Sequence, residues 1–190
     1  DMSYMFDGAT VFDNGGDTLL WNTGAGTGNV TNTAFMFRGA TAFNQDISSW
    51  NVSNVTNMSS MFRFASNFNQ DISSWDVSRV KQMDDMFAST SAFNQDISSW
   101  ATDSVTRMDG MFNLATAFDQ NLGDWNISSI NSTALESMHE MLDGSALSIA
   151  NYDSTLIGWN SQAISNITLG ANGLNYCLAA NARDSLDNPA

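Results

Sequence analysis

The chain has 190 residues and sets 20 acidic side chains against 6 basic ones, a formal net charge of −14. Its length and 43% apolar content suit one domain with a sizeable core. The charge repels phosphate backbones and anionic lipid, and no run reaches the ~18–20 apolar residues of a membrane span, so neither nucleic acid nor direct membrane insertion is expected. Glu occurs only at Glu136 and Glu140 and Lys only at Lys81, a poor supply for long wet helices. Asp, Asn, Ser, Thr and Gly favour turns and short elements instead.

Residues 1–29 read as a truncated, longer N-terminal coil. "MSYMFDGATVF" (2–12) matches "MSSMFRFASNF" (58–68), so the chain starts in mid-repeat, and a Gly-rich loop, "NTGAGTGN", follows at 22–29. "FDNGGDT" (12–18) places Asp13, Asn14 and Asp17 in a Gly-containing turn. Oxygen ligands on a tight loop suit Ca²⁺, which makes these three the candidate metal ligands. Turn chemistry, with Asp and Asn bonding their own backbone, explains the same letters. No other cofactor is expected.

Residues 30–129 form four regular units of 25 residues. "FNQDISSW" stands at 43–50, 68–75 and 93–100, with an eroded copy, "FDQNLGDW", at 118–125. Val30, Val55, Val80 and Val105 open the units, and a Met-Phe pair recurs at 36–37, 61–62, 86–87 and 111–112. Val55, Met58, Met61, Phe62 and Ala65 step by three and four, which predicts a short helix. Trp50 and Val52 step by two, which predicts a short strand. Asp46, Asp71 and Asp96 are expected to hold backbone amides at each corner, a role Asn121 can also fill. Asn44, Asn69 and Asn94 are expected to stack as a ladder. The fold class expected is therefore an α/β repeat solenoid. Its short parallel strands would lie on one side at about 4.8 Å per coil, with short helices on the other.

Residues 130–150 read as an irregular final coil, with Met138, Met141 and Leu142 at helical spacing, and 151–190 as a capping segment that breaks the register. An open end of such an array exposes apolar core and unpaired edges, so a cap is expected. The whole is read as one continuous domain.

"MFRFASNFNQDISSWDVSRV" and its copies resemble the BspA-like bacterial surface-protein repeat family, distant relatives of leucine-rich repeats, over about residues 2–130. That resemblance implies a right-handed solenoid, a secreted or cell-surface location and membership of a larger protein with flanking domains. The closing segment is also similar to those that end arrays of this family. The longer first coil and the unit after Ile130 depart from the pattern.

Catalytic motifs are sparse. His139, the single histidine, lies between Glu136 and Glu140 in "ESMHEM", which reads as a solvated position. "GAGTGN" (24–29) lacks the Lys of a phosphate cradle. Asp84 and Asp85 are a carboxylate pair, yet nothing in the letters singles out one pair for glycosidase chemistry. Cys177 is the only cysteine and reads as a small buried apolar residue. An enzyme is not expected.

What remains is surface. The residues alternating with Trp and Val should point outward as one row: Ser49, Asn51 and Ser53; Ser74, Asp76 and Ser78; Ser99 and Asp103, with Ala101 between them; Asp124, Asn126 and Ser128. These are the candidate ligand-binding residues, for a protein or glycan on another surface. The expected function is adhesion or ligand recognition through this polar strand face. A passive spacer or stalk is the alternative.

Overall fold

The computed structural model describes residues 1–16, 19, 29–130, 137–162, 164 and 167–187. Asp17, Glu136, most of the Gly-rich loop and residues 131–136 of the final coil lie outside the described residues. Among the described residues no strand or sheet forms, and the two α-helices both lie near the C-terminus, α1 at Ile149–Asn160 and α2 at Ala180–Asp187. The expected α/β solenoid, with parallel strands facing helices, is thus not what the chain builds. Each 25-residue unit is instead a succession of tight turns, and successive units touch through isolated parallel bridges: Asn32 to Asn57, Asn57 to Gln82, and Gln82 to Arg107.

The predicted helix fails for a backbone reason. In the second regular unit Ser60 and Phe64 have φ of 56° and 62°, and an α-helix admits no left-handed residue. The amides divide alternately. Those of Thr33, Phe35, Phe37 and Gly39 donate across to the carbonyls of Asn57, Ser59, Met61 and Arg63 at 2.7–3.0 Å. The amides between them, of Met36, Arg38 and Ala40, close turns within the unit onto Thr33, Phe35 and Phe37. The same pattern recurs at 58–65, 83–90 and 108–115. Helical spacing in the sequence therefore marks burial of Met58, Met61, Phe62 and Ala65, while their amides run between units and not along a helix.

The predicted strand fails because side chains take its amides. Asp46 Oδ1 accepts from the Ser48 amide at 2.9 Å and Asn51 Oδ1 from the Ser53 amide at 3.1 Å, bending the chain on both sides of Trp50. The Trp50 and Val55 amides close four-residue turns onto Ile47 and Val52. Trp50 and Val52 are buried and Ser49 and Asn51 exposed, so the alternation is real, but turns produce it.

The core is a set of columns. Phe37, Phe62, Phe87 and Phe112 stack at 5.7–5.8 Å, and each lies 3.9–4.0 Å from a second row formed by Phe43, Phe68, Phe93 and Phe118. In the second to fourth regular units the tryptophan indole N–H donates to a carbonyl one unit back: Trp75 to Ile47, Trp100 to Ile72 and Trp125 to Ile97, at 2.9–3.1 Å. Helix α1 inserts Trp159 into the same column, its indole donating to Leu122 at 2.8 Å. Thr155 Oγ1 accepts from the Leu122 amide at 2.9 Å, so α1 occupies the place another unit would take. The turn ladder ends at Gly170 and Asn172, whose carbonyls accept from Leu142 and Gly144. A Cβ on Gly170 would lie 2.0 Å from the Glu140 nitrogen, so only glycine allows this closure. Helix α2 is tied down by Asp153 of α1, whose carboxylate accepts the amides of Cys177, Leu178 and Ala179 and is held below its ordinary range by them, that of Leu178 foremost. Cys177, expected in the core, is exposed.

Candidate interaction surface

Three surface features of the stack carry polar or apolar groups in register. The first is the corner row. Asp46, Asp71 and Asp96 accept from the amides of Ser48, Ser73 and Ser98 at 2.9–3.0 Å, and Asn121 accepts from Gly123 at 2.9 Å. These backbone bonds, helped by the serine hydroxyls, hold the three carboxyls below their ordinary range. The asparagine ladder expected beside them is present: Asn44 Oδ1 accepts from Asn69, Asn69 Oδ1 from Asn94, and Asn94 Oδ1 from Asp119, at 2.8–3.0 Å. A depression of about 320 Å³ lies here, lined by Asp71, Ser73, Gln95, Asp96, Ser98 and Ser99. Asp71→Asn is expected to leave stability nearly unchanged, because Asn121 already makes that contact uncharged. Asp71→Ala should lose about 0.5–1.5 kcal/mol, as read by urea denaturation at pH 7. A depressed carboxyl contributes stability that is complete above its unfolded-state value and is lost as pH falls through its folded value. That contribution should therefore vanish only below about pH 3.8.

The second feature is the polar row expected from the sequence. Ser49, Asn51, Ser74, Asp76, Ser78, Ser99, Asp103, Asp124 and Ser128 are exposed, and Ser53 and Asn126 are half-buried. The row is in register, since Ser74 donates to the Ser48 carbonyl, Ser99 to that of Ser73, and Asn126 to the Asp103 carboxylate. Many of its polar atoms serve the turns. Asp76 Oδ1 accepts from the Ser78 hydroxyl at 2.6 Å and amide at 3.1 Å, which lowers its carboxyl from the usual range, and Asn126 Oδ1 accepts from the Ser128 amide at 2.9 Å.

The third feature was not foreseen. Each unit has two left-handed positions, and the second is filled by Gly8, Gly39, Phe64, Ser89, Leu114 and Gly144 along the stack. Phe64 is 46% exposed and Leu114 is 54% exposed. The Arg63 guanidinium lies 5.0 Å over the Phe64 ring, and Leu114 lies against Gly144. At the first position Tyr4 and Phe35 stack at 4.6 Å, with Arg38 over both rings and paired to Asp7 at 2.6 Å. These large side chains, aromatic but for Leu114, form a ridge outside the core that runs over the two left-handed columns and is interrupted by Ser89 between Phe64 and Leu114. The signal was present in the sequence as large apolar letters at columns that elsewhere carry Gly, Ser, Asp or Glu, and the helix reading of 55–65 concealed it.

The candidate metal turn resolves in part. Asp13 Oδ1 accepts from the Gly15 amide at 2.9 Å, and Asn14 is left-handed at φ 53°, within a single turn at Asn14–Gly16. Asp17 lies outside the described residues. Among the described residues no group of three or more His, Cys, Asp or Glu is arranged to hold a metal ion. His139 is exposed, its Nδ1 3.9 Å from Glu140 Oε1.

A family model described as "Mycoplasma protein of unknown function, DUF285" matches residues 1–92 and again 31–152. No curated protein and no solved structure gives a significant match. The two overlapping family matches span residues 1–152 of 190, covering the first coil, all four regular units and the start of α1, and on that coverage the chain belongs to the DUF285 family.

Proposed function

We propose that this protein is a non-enzymatic recognition module of a larger secreted or cell-surface protein, of the BspA-like kind, binding a protein or glycan ligand on another surface. The observation that supports this reading is the placement of Phe64 and Leu114. A left-handed backbone costs a non-glycine residue about 1–2 kcal/mol, and exposing a large apolar side chain returns little of it. Glycine fills the same column in neighbouring units, so neither backbone nor core accounts for these two letters. Exposed aromatics beside arginine are the chemistry of binding hot spots.

The test separates fold from contact. Phe64→Gly and Leu114→Gly relieve backbone strain but add the chain entropy of glycine, about 0.5–1 kcal/mol each. Phe64→Gly also removes a cation–π contact of about 0.5–1 kcal/mol. Each variant is expected to unfold within about 1 kcal/mol of the wild type by urea titration. Wild type and the double variant would then be screened on a glycan array and a panel of purified extracellular-matrix proteins. Binding that the double variant loses supports recognition through the ridge. Binding retained by it but lost in Asp76→Ala with Asn126→Ala moves the contact to the polar row. A passive spacer is favoured by the extent to which that row serves its own turns, and a blank screen would support it.

A further inference from the structure

Asp84 and Asp109 occupy equivalent positions of adjacent units and stand within hydrogen-bonding reach of each other. One guanidinium serves both: Arg107 Nε is 3.2 Å from Asp84 Oδ1 and its Nη2 is 3.0 Å from Asp109 Oδ2. Asp109 also reaches forward, its Oδ1 accepting from the His139 amide of the final coil at 3.3 Å. That contact sits between two ladder bonds joining the fourth unit to the final coil, Met108 to Ser137 and Gly110 to His139, both 2.8 Å. Asp84 Oδ1 is buried and, beyond its ion pair, has no hydrogen-bond partner among the described residues. A buried acceptor in that state calls for a donor, and a protonated Asp109 carboxyl would supply one.

We propose that Asp84, Asp109 and Arg107 form a proton-sensitive latch that holds the final coil, residues 137–144, against the regular units. With one proton between them the two carboxyls carry a single negative charge, matched by Arg107. When that proton leaves, two anions face one guanidinium in a partly buried place. The surroundings do not relieve this. Arg63 is held by Asp85 at 2.9 Å, and Asp85, itself raised by burial and then by Asp84 and Glu140 against the pull of Arg63, adds negative charge on the adjoining column. Glu140 and His139 lie on the final coil, the imidazole facing the Glu140 carboxylate and exposed to solvent. Consistent with this geometry, burial pushes the Asp109 carboxyl up to about 6; the Arg107 hydrogen bond pulls it down and Asp84 raises it further.

The sign follows. A carboxyl whose folded value lies above its unfolded one binds more protons in the folded state between those values, so its contribution falls as pH rises from about 3.8 to about 6 and then levels off. The latch therefore tightens in mild acid and slackens at neutral pH.

Amide hydrogen exchange, corrected for the intrinsic rate, reads this site by site. Protection of Gly110 and Leu114, which donate to the final coil, is expected to drop several-fold between pH 5 and pH 8, while that of Phe62, deep in the array, follows global stability alone. Asp109→Asn should flatten the Gly110 profile and keep protection high at pH 8, since the amide still donates to Asp84 and accepts from His139. Asp84→Asn, which removes the other charge, should do the same and serves if the first variant folds poorly. His139→Gln should leave the profile unchanged. Parallel pH profiles for Gly110 and Phe62 in the wild type would overturn the proposal. So would a profile abolished by His139→Gln but not by Asp109→Asn, or an Asp109 carboxyl resonance titrating below pH 4.5.

Discussion

Gly123→Ser, which restores the repeat's own letter in the fourth unit, is expected to destabilise the protein. In the other units the equivalent residues are Ser48, Ser73 and Ser98, and substitution toward a repeat consensus usually stabilises. Here helix α1 stands where another unit would stand, and it comes closer. A Cβ on Gly123 would lie 2.7 Å from the Ser154 carbonyl oxygen, and one on Gly158 would lie 2.3 Å from the Gly123 oxygen and 2.6 Å from its Cα. Two glycines thus face each other across the helix contact, and the atoms met are backbone, which cannot swing aside. Overpacking of this kind costs about 1–3 kcal/mol, and a shift of α1 would also pull Trp159 from the tryptophan column and Thr155 from the Leu122 amide. A loss of about 2 kcal/mol for Gly123→Ser corresponds to a melting temperature lower by several degrees in a chain of this size. Gly158→Ala should cost at least as much. Because the two share one contact, the double variant should fall short of the sum. An unchanged or raised melting temperature for Gly123→Ser would mean that α1 does not seat as described.

Phe87→Ala is expected to be the most damaging single truncation in the array. Phe87 is fully buried, lies 4.0 Å from Phe93, and is stacked between Phe62 and Phe112 at 5.7 Å on each side. Removing a buried phenyl ring costs about 3–5 kcal/mol. The ring also joins three units, and in a stack where each unit touches only its neighbours such a gap lowers the coupling between the two halves. Urea denaturation followed by both tryptophan fluorescence and far-ultraviolet dichroism should show the loss and a split between the two probes, where the wild type gives one transition. The comparison with Phe64→Gly is informative. Both remove a phenylalanine from the turn-built side of a unit, yet one ring is fully buried in the core and the other half-exposed beside Arg63, so their effects should differ by about 2 kcal/mol or more.

How much of this was legible in the letters differs by level. The register was fully legible, because Trp, Phe and Met recur every 25 residues and a column that must stack with itself tolerates little variation. The corner chemistry was legible too, since Asp71 and Asn121 share an acceptor and lack anything else in common that the site uses. The backbone was not. Spacing reports which side chains are buried and says nothing of where their amides go, so Met58, Met61 and Phe62 read as a helix although Ser60 between them is left-handed. Asn51 and Asp76 read as outward residues of a strand, when their side chains were competing with any strand for its amides. Of the candidate interaction surface, the polar row was legible as exposed. The ridge was not, because Phe35 and Phe64 look like further core letters until the left-handed positions are known. The Asp84–Asp109 pair was likewise invisible as a pair, the two lying in different units and meeting only when those units stack.

The alternation of amides has a directional consequence. From the first coil to the final coil, four turn-ladder amides of each unit point toward the next unit in the chain, as from Thr33, Phe35, Phe37 and Gly39 onto the following carbonyls, and fewer point back, such as that of Thr56 at one interface and those of Lys81, Gln82 and Ala92 at the next. The two flanks of a unit are therefore unlike, one rich in donors and the other in acceptors. Growth by adding units has a built-in sense, and Gly170 and Asn172 complete it by offering carbonyls to the last donors. Two arrays set acceptor flank to acceptor flank would bring carbonyl against carbonyl, so the bonding that lets one unit follow another also works against a symmetric end-to-end pair.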